Sequence, residues 1–256
     1  MRILAIGDIV GLETVEYLKN KLWKFRKENK IDFVIANGEN TNDIFGLGLD
    51  EAKILLDSGI DVITTGNHVW GRRDIYDFLD SSENVIRPVN YPSGSPGSGY
   101  TIVNADGFKI LCINVLGTVF MDSLTSPFDA VDTVRAREEW NYDIALLDVH
   151  AEATSEKLAM GYHFDGRITA VFGTHTHVQT ADERVLSGGS GYITDLGMTG
   201  PKDGILGVDK ETVLYRFLTK MPKRYTAAKG DIEAQGAIFD IDPFAKKTVS
   251  VTRVKF

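Results

Sequence analysis

Through the first quarter of the chain, short β-branched apolar runs alternate with segments whose apolar residues recur every three or four positions. RILAIG, DFVIANG and DVITTGN read as strands, while ETVEYLKNKLWKFRKEN and LDEAKILLDSG read as amphipathic helices, the second closed by Gly59. That βαβαβ order predicts a parallel sheet with right-handed crossovers. After YPSGSPGSGY the pattern changes. YTIVNADGFKILCINV predicts a hairpin turning at Asp106 and Gly107, YDIALLDVH, ITAVFGTHTH and GYITDLG predict further strands, and GAIFDIDPFAKKTVSVTRVKF predicts two strands around a Pro-containing turn. Parallel units followed by hairpins predict an α/β fold with a mixed sheet, or two sheets packed face to face with helices outside. There is no repeat or low-complexity segment, and the Pro, Gly and Ser cluster at 92–99 is a loop too short to be a linker. One domain spanning 1–256 is expected.

Polar residues gather where the apolar runs stop. Asp8 follows RILAIG, Glu39 and Asn40 follow DFVIANG, Asn67 and His68 follow DVITTG, His150 ends YDIALLDVH, and His175 and His177 follow ITAVFG. In open α/β sheets ligands bind beyond the carboxyl ends of the parallel strands, so these residues are expected to converge. Of the five histidines only His163 lies elsewhere; it reads as a surface or packing residue. If the strand continued through THTH, its two-residue period would aim His175 and His177 to one face. Each group alone has a plainer reading. GD is a common turn, GEN and GNH suit turns and helix caps, and a lone pair of imidazoles can sit in a core if its nitrogens find partners. Coincidence at five separate strand ends is the harder explanation.

Composition narrows the chemistry. The formal net charge is -8, which argues against a broad cationic surface for long nucleic acid. Cys112 is the only cysteine; it reads as a buried strand residue, leaves no intrachain disulfide to form, and makes the cytoplasm the default compartment. The N-terminal apolar run is broken by Asp8, too early for a signal peptide or a membrane span. Without thiolate clusters, a structural zinc site is excluded, whereas imidazole with carboxylate and amide oxygen suits iron, manganese or zinc at a catalytic site. Asp8, Glu39, Asn40, Asn67, His150, His175 and His177 are too many donors for one tetrahedral ion. They suit two ions roughly 4 Å apart with water in the open positions. Two divalent cations, less the charges of Asp8, Glu39 and a bridging hydroxide, leave a centre of about +1, which favours an anion such as a phosphate ester.

The motifs GDIVG, NGEN, TGNHVW, DVHAEATSEK, GTHTHVQTAD and ITDLGMTGPKDGILG, in that order along almost the whole chain, resemble the YmdB-like branch of the calcineurin-like metallophosphoesterases. The wider superfamily more often has Asp-x-His, Gly-Asp-x-x-Asp, an acidic residue after Asn-His, and Gly-His-x-His. Here Ile9 and Val10 follow Asp8, Glu39 stands in the second motif, Val69 follows His68, and Thr174 precedes His175. The branch shares these departures. The resemblance implies a fold of two packed mixed β-sheets flanked by helices, a four-layer α-β-β-α sandwich. It implies one metal on Asp8, Glu39, Asn40 and His177 and a second on Glu39, Asn67, His150 and His175, with Glu39 bridging. Iron or manganese is the metal associated with the branch. Hydrolysis of cyclic nucleotides, 2′,3′-cyclic ones in particular, and a homo-oligomeric state are the further implications.

The expected mechanism is in-line attack of the metal-bridging hydroxide on phosphorus, with no protein nucleophile and with His68 as the general acid. Asp148 or Glu152 is placed to orient His150, a solvated or capping role being the alternative for each. Thr154 and Ser155 resemble a helix N-cap whose N–H groups would suit a phosphate, and Arg72 and Arg73 are either substrate contacts or solvated charges. DLGMTGPKDGILG is expected to border the site. The alternatives are a phosphomonoesterase and a metal-dependent nucleotide-binding regulator with little turnover. The acidic composition disfavours long nucleic acid as the main partner; an RNA end entering the site is possible but not favoured.

Overall fold

A computed structural model describes residues 1–42 and 45–256. The chain begins β1 (Arg2–Ile6), β2 (Asp8–Ile9), α1 (Leu12–Glu28), β3 (Phe33–Asn37), α2 (Leu49–Asp57) and β4 (Val62–Thr64). Two single-turn 3-10 helices (Val69–Gly71, Arg73–Ile75) and α3 (Tyr76–Ser81) lead to β5 (Tyr100–Ala105), β6 (Phe108–Leu116), α4 (Pro127–Arg137), β7 (Ile144–His150), α5 (Thr154–His163) and β8 (Ala170–Thr174). The last third contains β9 (Arg184–Val185), β10 (Gly191–Ile193), β11 (Met198–Pro201), α6 (Lys210–Thr219), β12 (Ile232–Glu233), β13 (Gln235–Asp242) and β14 (Lys247–Lys255).

Two large mixed sheets result, with strand orders β14-β13-β1-β3-β4 and β5-β6-β7-β8-β10-β9. The parallel centre of each is extended by an antiparallel hairpin, β13/β14 in one and β5/β6 in the other. The β5/β6 turn falls where the sequence places it, with Asp106 and Gly107 both at positive φ, as a two-residue hairpin turn requires. A third, small sheet, β12-β11-β2, has no counterpart in the sequence pattern; it pairs Asp8 with Met198.

Strand alternation distributes the core. Ile3, Ala5, Phe33 and Ile35 face inward, meeting Ile110, Cys112, Ile144, Leu146 and Phe172 of the other sheet. Leu4, Val34 and Ala36 face outward onto α1 and α2, where Val15, Leu18 and Leu22 form a buried stripe at helical spacing. Leu111, Ile113 and Val115 back onto the α4 and α5 side, meeting Val131 and Met160. The sandwich is therefore α-β-β-α. Each fully buried Leu, Ile or Phe contributes about 1.5–3 kcal/mol relative to exposure, so the two outer interfaces and the central one together hold the sheets in register. No helix among the described residues is long and apolar enough to cross a membrane. Cys112 lies in the inner layer, where burial raises its thiol pKa.

Two local expectations are corrected. The strand predicted through THTH stops at Thr174; His175 and His177 lie beyond it, with φ of 96° and 61°. A bend in the left-handed region, and not the strand pleat, sets their directions. Helix α5 starts at Thr154 with Ala153 as its N-cap and no side-chain cap. Thr154 and Ser155 thus occupy the first turn, and the Ala153 carbonyl takes the Glu156 and Lys157 amides instead.

Candidate metal centre

The carboxyl ends of the parallel strands meet at one edge of the sandwich, and the sequence-derived donors are there. Asp8 sits in β2, Glu39 and Asn40 just beyond β3, Asn67 and His68 beyond β4, and His150 at the end of β7 beside Thr174 of β8. His150 Nε2 is 3.0 Å from Glu39 Oε1 and 3.0 Å from Asn67 Oδ1, and 3.1 Å from His175 Nδ1. His177 Nε2 is 3.3 Å from Asn40 Nδ2 and 3.7 Å from Asp8 Oδ1. Ligand atoms of Glu39, His150 and His175 all lie within 4.8 Å of one another. Gly66 makes this approach possible, since a Cβ there would collide with the His150 ring and the Glu39 carboxylate.

Each imidazole is anchored by its outer nitrogen. The Thr174 hydroxyl donates to Asp148 Oδ1 at 2.7 Å and lies 2.9 Å from His150 Nδ1, which the Asn37 amide nitrogen also approaches at 3.2 Å. That leaves Nε2 of His150 facing the cluster. His175 Nε2 is 3.2 Å from Glu152 Oε2, turning Nδ1 inward. His177 Nδ1 donates to the Leu206 carbonyl at 3.1 Å, turning Nε2 inward. Such outer bonds select the tautomer and the ring orientation that a metal ligand needs. Asp148 therefore reaches His150 through Thr174, and Glu152 serves His175 instead of His150.

The charge pattern of the cluster fits positively charged partners. Burial raises the Asp8 carboxyl, although His177 and His150 oppose it. Its Oδ1 is buried with no hydrogen-bond partner among the described residues, a costly state for a carboxylate oxygen unless a cation meets it. Burial would raise Glu39 too, but the adjacent His150 outweighs it and the carboxyl is held down to about 2. Burial would lower His150; Glu39, Asp8 and Asp148 reverse that and push it up to about 9. Burial and the neighbouring His150 hold His175 down to about 3. Burial lowers His68 and raises Asp148 to about 6. Opposed ring nitrogens at 3.1 Å beside a partnerless carboxylate oxygen fit divalent cations.

His68 borders the same cavity as Glu39, Asn40, His175 and His177. Its backbone N–H donates to Glu39 Oε2 at 2.9 Å, its Nε2 is 3.4 Å from the Asn67 amide nitrogen, and its ring meets Phe45 edge-on. Arg72 pairs with Asp74 and Asn42 and lines an adjoining cavity. His163 is at the surface, paired with Asp132. From the glycine-rich segment, Ile205 and Leu206 border the site.

Sequence reasoning missed Thr174 as the relay to His150, and it missed the pair Lys157 and Asp195, which hold the histidine bend from below. A signal existed for Lys157, which shares the buried face of α5 with Met160 and Gly161. A lysine on an apolar stripe needs a buried counter-charge.

The layered sandwich with oxygen and imidazole donors at its strand ends is the metallophosphoesterase fold. The chain belongs to the YmdB-like protein family, whose model matches residues 4–254. It is 48% identical over 257 residues to the 2′,3′-cyclic-nucleotide 2′-phosphodiesterase of Bacillus subtilis (strain 168), covering 99% of this chain and 96% of that protein. Among solved structures, a hypothetical protein from Thermus thermophilus superposes with a TM-score of 0.93 at 40% identity, covering 100% of this chain and 99% of the other. A novel phosphatase from Mycoplasma pneumoniae superposes with a TM-score of 0.94 at 31% identity, covering 100% and 93%.

Proposed function

We propose that this protein is a phosphodiesterase that opens 2′,3′-cyclic nucleotides at the 2′ oxygen, leaving a nucleoside 3′-phosphate. Asp8, Glu39, Asn40 and His177 would hold one divalent cation, and Glu39, Asn67, His150 and His175 another, with Glu39 shared. The observation that carries this reading is Asp8 Oδ1, without a hydrogen-bond partner among the described residues, in the same cluster as the opposed His150 and His175 nitrogens. The 48% identity to a Bacillus subtilis enzyme named for this reaction supports the substrate class. Mixed imidazole, carboxylate and amide donors suit iron, manganese or zinc alike; the family resemblance favours iron or manganese. One domain, residence in the cytoplasm and self-association complete the reading.

When bound, the cations supply positive charge for the phosphate oxygens and acidify a water so that it can attack phosphorus near neutral pH. The chain's own residues do the rest. The Asp148–Thr174–His150 relay and the Glu152–His175 and His177–Leu206 bonds fix the donor directions. His68 passes a ring proton to the departing 2′ oxygen as the P–O bond breaks. The Asn67 amide, 3.4 Å from Nε2, can donate to the neutral ring left behind.

The test is protein purified with and without oxygen, analysed for metal, and assayed on 2′,3′-cyclic against 3′,5′-cyclic adenosine monophosphate and on a bis-ester against a mono-ester chromogenic substrate. Preference for the 2′,3′-cyclic and bis-ester substrates is expected. Faster mono-ester cleavage would make it a phosphomonoesterase, and binding without consumption would make it a regulator.

A further inference from the structure

Glu39, Asn40, His175 and His177 line a cavity of about 460 Å³, a volume ordinary for a small-molecule site. The same cavity is lined by Phe45, Leu206, Val213, Phe217 and Tyr225. Three of these are strongly solvent-exposed: Phe217 by 68%, Leu206 by 49% and Phe45 by 46%. Between Ile205 and Tyr225 the residues lining the cavity are Ile205, Leu206, Val208, Val213, Phe217 and Tyr225, of which Tyr225 alone carries a polar side-chain group. Exposed apolar surface gathered inside a concave site marks a ligand contact.

This shelf is held in place relative to the donors. The Leu206 carbonyl takes the His177 Nδ1 proton, and the Phe45 ring lies 4.7 Å from the His68 ring at 66°. The guanidinium of Arg216 stacks on Tyr225, 4.1 Å from its ring centre. A ligand whose phosphate met the donors would therefore present its other end to fixed aromatic and aliphatic faces.

Resting on the reading above, we propose that this shelf is the nucleobase subsite. A base is flat and apolar on its faces, and it would stack on Phe217 and Tyr225 with Phe45 and Leu206 closing the sides. Because the shelf offers almost no donors or acceptors, it grips the face of the base without reading its edge. All four bases are accepted, purines more tightly through their larger area.

The test measures binding and turnover separately. Isothermal titration of manganese-loaded protein with adenosine 3′-monophosphate and with inorganic phosphate gives an affinity ratio for wild type, Phe217→Ala, Tyr225→Leu and the double variant. The ratio is expected to fall roughly 5- to 100-fold where a stacking ring is lost. Phe244→Ala, at an exposed position away from the cavity, keeps the wild-type ratio. An unchanged ratio in the double variant overturns the subsite. So does an unchanged ratio accompanied by dissociation of an oligomer, which would make the shelf a contact between copies. Shelf-dependent nucleotide binding by a protein that hydrolyses no cyclic ester would leave the subsite standing and remove the phosphodiesterase reading instead.

Discussion

The ammonium of Lys157 lies 2.6 Å from Asp195 Oδ2, and both side chains are fully buried. The same ammonium donates to the Thr174 carbonyl at 2.7 Å, and the same carboxylate oxygen accepts from the Thr176 hydroxyl and amide. The pair thereby grips the backbone on either side of His175, where φ is left-handed and a non-glycine residue is strained. Replacing Lys157 by Met strands a buried carboxylate, so unfolding in urea should show a loss of about 3–5 kcal/mol. The double variant Lys157→Met with Asp195→Leu should lose less than the sum of the two single variants. A Lys157→Met protein as stable as the parent contradicts this account.

Thr174→Val keeps the shape of β8 and cuts the relay from Asp148 to His150. Manganese affinity should fall roughly 10- to 100-fold, as for other losses of a bond to a ligating histidine. Titration calorimetry reads it; an unchanged affinity would show that His150 needs no outer partner.

His68→Ala should keep the metal content of the wild type and lower kcat by roughly 10²- to 10⁴-fold. Elemental analysis and steady-state rates on the same preparation check both halves. Wild-type turnover in this variant would remove His68 as the proton donor.

Loading of the site should depend on pH in a definite direction. In the cation-free protein Glu39 pushes His150 up to about 9, so below that pH its Nε2 carries a proton that a cation must displace. Protons compete, so apparent metal affinity rises with pH through neutrality and levels off above about 9. Calorimetry in buffers of different ionisation enthalpy should show proton release on loading at about pH 7. No release there would mean His150 is already neutral.

The residues of this centre were legible because strand ends are where parallel sheets place their sites, and Asp8, Glu39, Asn67, His150 and His175 each close or follow an apolar run. The layered architecture was legible for a related reason: helical and strand periods alternate cleanly up to β4, and the hairpins carry their own turn residues. What escaped is what long-range contacts decide. The bend at His175 and His177 depends on Lys157 and Asp195, 38 residues apart in sequence, so no local pattern announces it. Glu152 looked equally able to serve His150; only the bend turns His175 toward it. The two-residue strand at Asp8 exists because Met198 lies beside it, and a pair that short has no period to detect.

The central claim is that two cations sit together among these side chains. Crystals loaded with manganese and measured for anomalous scattering should show two adjacent peaks, one bounded by Asp8, Glu39, Asn40 and His177 and the other by Glu39, Asn67, His150 and His175. A single peak at saturating manganese, or peaks that avoid Asp8 and the His150 and His175 nitrogens, would contradict it.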